Sequence, residues 1–118
     1  MHREVNILLL DAYELSAMIK NQEISCRRVM ATYLEHIEKT NPLVNAIISL
    51  RDKETLMREA DEKDEALLRG EYQGWMHGFP FAVKDLALTK GITTTLGSAA
   101  LADHIPDKDS LIVERIKS

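Results

Sequence analysis

The sequence predicts an α/β fold, and an incomplete one. Two observations point there: helical periodicity over its first seventy residues, and a short apolar run, Pro80 to Val83, bounded by Gly78 and Lys84. Such a run reads as a strand covered on both faces. A third observation argues that the fold is unfinished. Only two convincing strands are readable, and a sheet that small leaves edges and apolar faces in water.

The helices come first in the chain. Asp11 is a suitable N-cap with Glu14 in the capping-box position, and Leu15, Met18 and Ile19 share a face. This first helix should end near Asn21. Ser25 caps the second, in which Cys26, Val29, Met30, Tyr33, Leu34 and Ile37 form an apolar stripe. Asn41-Pro42 should stop it.

Ala46 to Leu50 is short and rich in β-branched residues, the pattern of a buried strand. From Lys53 to Arg69 strong helix formers dominate, and the charges from Glu59 to Glu65 read as a solvated face. Gly70 suits the C′ position of that third helix. Glu71 to Gly78 is a loop, followed by the strand to Lys84. Leu86 to Ser98 holds either another short strand or an ordered loop. Asp109 is the expected N-cap of a last helix carrying Leu111, Ile112, Val113 and Ile116, with no stop signal after it. The 118 residues thus read as a single partial domain.

Composition excludes several functions. Hydrophobic residues make up 45% and charged residues 29%, as in a folded protein rather than a disordered one. A formal net charge of -4 gives no reason to expect nucleic acid. Val5 to Leu10 is too short to span a membrane and lacks a cleavage pattern behind it. The single cysteine, Cys26, rules out an internal disulfide framework and fits a reducing, cytoplasmic setting. Cys26, His36, His77 and His104 do not fall at metal-ligand spacings, so no metal is expected, and no Gly-rich phosphate loop or other cofactor motif is present. Cys26 reads as a core residue, and Trp75 and Met76 as cover for apolar surface.

Lys84 is the chemical candidate. An ordinary lysine, titrating near about pH 10.4, is protonated at neutral pH; desolvation or a nearby cation is needed to make it a base. On spacing alone, a strand-ending lysine paired with Asp85 or water is the commoner outcome. Gly78 and Pro80 shape the entry to the strand. Thr94, Thr95, Gly97 and Ser98 carry hydroxyls and amides that either serve turns or face a substrate. A self-contained Ser98–Lys84 pair is a weaker reading, because Ser98 lacks the strand-turn-helix setting of a presented nucleophile.

The stretch His77-Gly78-Phe79-Pro80-Phe81-Ala82-Val83-Lys84-Asp85, followed by Gly91-Ile92-Thr93-Thr94-Thr95-Leu96-Gly97-Ser98, resembles the amidase signature family. Pro106, Asp109, Val113 and Arg115 also fit its spacing, as do Ala12-Tyr13-Glu14-Leu15, Ile24-Ser25, Asn41-Pro42 and Asn45-Ala46. The resemblance implies a large mixed sheet wrapped by helices, of which this chain holds the N-terminal helices and first strands. It implies a Ser–cis-Ser–Lys triad that hydrolyses small-molecule amides, with Lys84 as the base. The family includes small-molecule amidases and the A subunit of glutamyl-tRNA amidotransferase.

Both serines of that triad lie in a Gly/Ser-rich segment, and no such segment occurs in these 118 residues. The expectation is therefore an N-terminal piece of an amide hydrolase, truncated and inactive alone. The alternative is a non-catalytic remnant or half of a split enzyme, acting by binding a C-terminal fragment or by self-association.

Overall fold

The computed structural model describes residues 4–118, which divide into two compact units. The first comprises residues 4–46 with Asp52–Pro80; the second comprises Ile47–Arg51 with Phe81–Ser118.

The first unit, over its described residues, is three helices and their connections. After a 3₁₀ turn at Ile7–Leu9, helix α1 runs from Ala12 to Lys20. Its capping box is complete: Glu14 N–H donates to Asp11 Oδ1 at 2.8 Å, and Asp11 N–H to Glu14 Oε2 at 3.1 Å. Helix α2, Cys26–Val44, begins at Ser25, whose hydroxyl accepts from Arg28 N–H at 3.1 Å. It runs past Asn41-Pro42, where the sequence predicted its end. In the last turn a proline removes only one intrahelical bond, and Asn45, in the left-handed region at φ 49°, closes the helix with its N–H on Asn41 O.

Helix α3, Lys53–Leu68, is capped by Asp52 and ends as predicted. Gly70 adopts φ 77°, with Glu71 N–H on Ala66 O and Gly70 N–H on Leu67 O. That is the double bond of a Schellman ending. Ile7, Leu15, Ile19, Ile24, Cys26, Val29, Ala60 and Leu67 form the core, with Met18, Met30, Tyr33 and Phe79 against it. Of the α2 stripe read from the sequence, Cys26, Val29, Met30 and Tyr33 face this core.

One contact ties α3 to the start of α2. The Asp64 carboxylate accepts Cys26 N–H at 2.6 Å and Arg27 N–H at 3.0 Å, so a neighbouring helix completes the N-terminal cap. The loop after α3 is fixed by His77, which is buried. Gln73 N–H donates to its Nδ1 at 3.2 Å, which leaves the proton on Nε2, directed at Lys63 O 2.9 Å away.

The second unit corrects the expected fold class. Among the described residues there is no strand, so neither Ala46 to Leu50 nor Phe81 to Lys84 forms part of a sheet. β-propensity is fitness for a paired, half-buried surface, and neither segment has a partner strand here. Ile48, Leu50 and Phe81 are exposed instead. The α/β class is thus replaced by helices and ordered loops.

Those loops are held by a few bonds. Gly91 N–H donates to Pro106 O at 3.0 Å, Thr94 N–H to His104 O at 2.9 Å, and Ser110 N–H to Leu88 O at 2.7 Å. A 3₁₀ turn at Ala99–Leu101 precedes helix α4, Leu111–Lys117, which buries Val113. Asp109 is not its N-cap; Ser110 holds that position. The Asp109 carboxylate instead accepts Lys90 N–H at 2.7 Å and pairs with Lys117 at 2.9 Å. A non-local donor has taken the acceptor that local spacing assigned to the helix.

Candidate active site

Lys84 lies in the second unit, on irregular chain that turns sharply after it. Its carbonyl accepts Leu86 N–H at 2.7 Å and Ala87 N–H at 3.0 Å. Two donors on one carbonyl fix the backbone from which the side chain departs. That side chain is exposed, and among the described residues its ammonium has no hydrogen bond or ion pair. Of the two partners that spacing alone offered, Asp85 or water, Asp85 is not taken.

Asp85 is engaged elsewhere. Thr95 N–H donates to its Oδ1 at 2.7 Å, and the Thr95 hydroxyl donates to Oδ2. Hydrogen bonding to the charged form holds the Asp85 carboxyl below the usual carboxylate range. Thr95 also anchors a tight turn, with Ser98 N–H on its carbonyl at 2.9 Å and Gly97 N–H on its hydroxyl at 3.2 Å. Leu96 and Gly97 have φ 52° and 72°, the double left-handed geometry of a primed turn. Leucine is rarely found there, and Leu96 is half exposed at the tip.

The other sequence candidates are accounted for. Thr94 is buried, its N–H on His104 O and its hydroxyl on Ile92 O at 3.0 Å. The amides of Thr95, Gly97 and Ser98 are all engaged in the loop, so none is presented to a ligand. Their chemistry is turn chemistry. Ser98 and Lys84 are exposed, without the buried setting that would activate a hydroxyl. The Asp85–Thr95 lock was missed by sequence reading. Its only signal was an acid ten residues before a hydroxyl run, and that spacing is not specific.

Cys26 and His77 belong to the first unit and are structural. Burial first, and then the Asp64 charge, push the Cys26 thiol up to about 12, so it stays protonated and unreactive. Gly78 packs directly on it: a Cβ at Gly78 would lie 2.3 Å from Cys26 Sγ. Among the described residues no group of His, Cys, Asp and Glu side chains could hold a metal ion, and no helix is long and apolar enough to cross a membrane.

The family model for Amidase matches residues 28–118, which include every residue of this site. The chain belongs to the amidase family. It is 38% identical over 104 residues to the A subunit of the glutamyl-tRNA(Gln) amidotransferase of Bdellovibrio bacteriovorus, covering 88% of this chain and 21% of that protein. It is 32% identical over 114 residues to an acylamidase of Rhodococcus erythropolis, covering 97% of this chain and 24% of that protein. Among solved structures it resembles a chain of "An unexpected vestigial protein complex reveals the evolutionary origins of an s-triazine catabolic enzyme", with a TM-score of 0.82 and 32% identity over 92% of this chain and 24% of that one. These 118 residues therefore span between a fifth and a quarter of the length of the relatives they match.

Proposed function

We propose that these residues carry the general-base position, Lys84, of an amide-hydrolysing acyl-transfer site whose two serines lie outside them. The observation that carries this reading is the place of Lys84, on a backbone held by two hydrogen bonds to its carbonyl and inside the segment that matches the amidase family. In the reaction proposed, the Lys84 amine accepts a proton from a bridging serine. That serine in turn accepts one from the nucleophilic serine. The alkoxide formed attacks the amide carbon, the proton held on Lys84 returns through the bridging serine to the leaving nitrogen as the C–N bond breaks, and water or ammonia then attacks the acyl-enzyme carbonyl and frees the serine. The substrate class is a small amide, in keeping with the activities named for the acylamidase and amidotransferase relatives. The cytoplasm is the proposed setting, and both units are read as parts of one family domain.

Triad members act together, so the lysine alone should leave little catalysis. The 118-residue chain is expected to give no turnover of a simple aliphatic amide. Replacing the matching segment of the Rhodococcus acylamidase by these residues should restore turnover, and Lys84→Ala in that chimera should abolish it. Turnover by the chimera that does not depend on Lys84 would sink the proposal.

A second reading is favoured by one observation. Ile48, Phe81, Leu86, Ile105, Leu111 and Ile112 of the second unit are large, apolar and more than half exposed. Scattered exposed apolar residues are ordinary, but this density suits a surface that another polypeptide covers. We propose in this reading a non-catalytic half that binds a serine-bearing partner chain. Sedimentation of the chain alone as a monomer, with no uptake of such a partner, would remove it.

A further inference from the structure

The Lys84 side chain leaves the backbone at a corner tied in two ways. One tie is local: the Lys84 carbonyl accepts Leu86 N–H at 2.7 Å and Ala87 N–H at 3.0 Å. The other reaches ten residues along the chain, where the Asp85 carboxylate accepts the Thr95 amide at 2.7 Å and the Thr95 hydroxyl. Thr95 is fixed in its turn. Its carbonyl accepts Ser98 N–H at 2.9 Å, and its hydroxyl accepts Gly97 N–H at 3.2 Å. The two ties do different things. Local bonds set the shape of the corner, and only the bonds to Thr95 set where the corner sits within its unit.

We propose that Asp85 is a positioning residue: it grafts the Lys84 corner onto the Thr95–Ser98 turn and so fixes the point from which the lysine side chain reaches its proton donor. The inference rests on the reading of Lys84 as the base position. Asp85 acts through the backbone it shares with Lys84, and touches no substrate. A lysine stem is long and flexible, so its origin is what the fold can hold in place. Both bonds to the carboxylate are charge-assisted, and their two donors on one residue fix its orientation as well as its place. The same bonds hold the Asp85 carboxyl below the usual carboxylate range, so the graft is ionised and made at neutral pH.

The first test uses the full 118-residue chain and needs no catalysis. In Asp85→Ala at neutral pH, protection of the Leu86 and Ala87 amides from hydrogen exchange should fall about fivefold, the size of one ordinary hydrogen bond. Val29, in the helical core, should keep its protection. Unchanged protection at Leu86 and Ala87 overturns the proposal. The second test uses the acylamidase chimera. There Asp85→Ala should lower kcat about ten- to a hundredfold with KM little changed, as for a small misplacement of a reacting group. Thr95→Val, which keeps the amide donor, should cost about three- to tenfold, and Thr95→Ser should recover most of that. Adding Thr95→Val to Asp85→Ala should cost no more than about a further twofold, because one graft has already been removed. Asp109→Ala removes a comparable acid-on-amide bond, to Lys90, away from the lysine corner, and should leave kcat within about threefold. Retained kcat in Asp85→Ala, additive losses in the double variant, or an equal loss in Asp109→Ala would each overturn the proposal. A chimera without Lys84-dependent turnover would remove the functional reading instead, and the exchange of Leu86 and Ala87 would still judge the graft.

Discussion

The two units of this chain are built by different means. The first is held by apolar packing and by helix ends in which side chains meet orphan amides: Asp11, Ser25, Asp52 and Asp64. The second has one short helix and depends on side chains that reach across loops, chiefly Asp85 to Thr95 and Asp109 to Lys90 and Lys117. The difference teaches where chemistry is placed. The helical unit buries Cys26 and His77 in its packing. The loop unit leaves Lys84 exposed and holds Asp85 on Thr95.

That contrast can be broken from either side. The largest effect should come from Gly78→Ala, which meets Cys26 Sγ at 2.3 Å and places a Cβ at φ 74°. It should cost the first unit about 3 kcal/mol, read by urea unfolding, with overpacking and left-handed strain both contributing. Adding Cys26→Ala should recover part of that loss, because it relieves the clash and not the strain. Full recovery would show that strain contributes nothing.

Asp64→Ala comes next. It leaves the Cys26 amide buried and without its acceptor, at a cost of about 1–3 kcal/mol. Ser25→Ala should cost about 1 kcal/mol by comparison, as an ordinary cap. If Ser25 proved the larger of the two, the cross-helix cap would be decorative.

The loop unit should be singled out by acid. Asp85 and Asp109 have folded-state pKa values lowered by their hydrogen bonds to Thr95 and to Lys90. A carboxyl lowered on folding stabilises the fold above its unfolded value, about 3.9, and loses that contribution as pH falls through the folded value. Protection of the Thr95 and Lys90 amides, relative to their intrinsic exchange rates, should therefore fall below about pH 4. Thr95 exchange should lose that pH dependence in Asp85→Asn. The smallest effect belongs to Lys39→Met. Its partner Glu35 is fully exposed, and the unfolding midpoint should not move beyond measurement error.

What the sequence revealed follows the same division. Capping boxes, apolar stripes and a terminal glycine act within a few residues, so α1, α3 and most of α2 were legible. The end of α2 was not, because Asn45 in the left-handed region closes the helix beyond Pro42, after Val44. The strands at Ala46 to Leu50 and Phe81 to Lys84 were misread for a deeper reason. A strand is a property of a pair, and composition describes only one member of it. Lys84 stood out through its flanking motifs, whereas the bond from Thr95 to Asp85 joins residues ten apart and left no pattern to read. Asp109 shows the converse: a good local N-cap signal can be outcompeted by a distant amide.

The most direct test of a general-base role for Lys84 is kcat/KM for a simple aliphatic amide in the acylamidase chimera, with and without Lys84→Ala. That role predicts a loss of at least about a thousandfold, as for removal of one member of a cooperating triad. Activity retained within about tenfold would contradict it and return Lys84 to the surface.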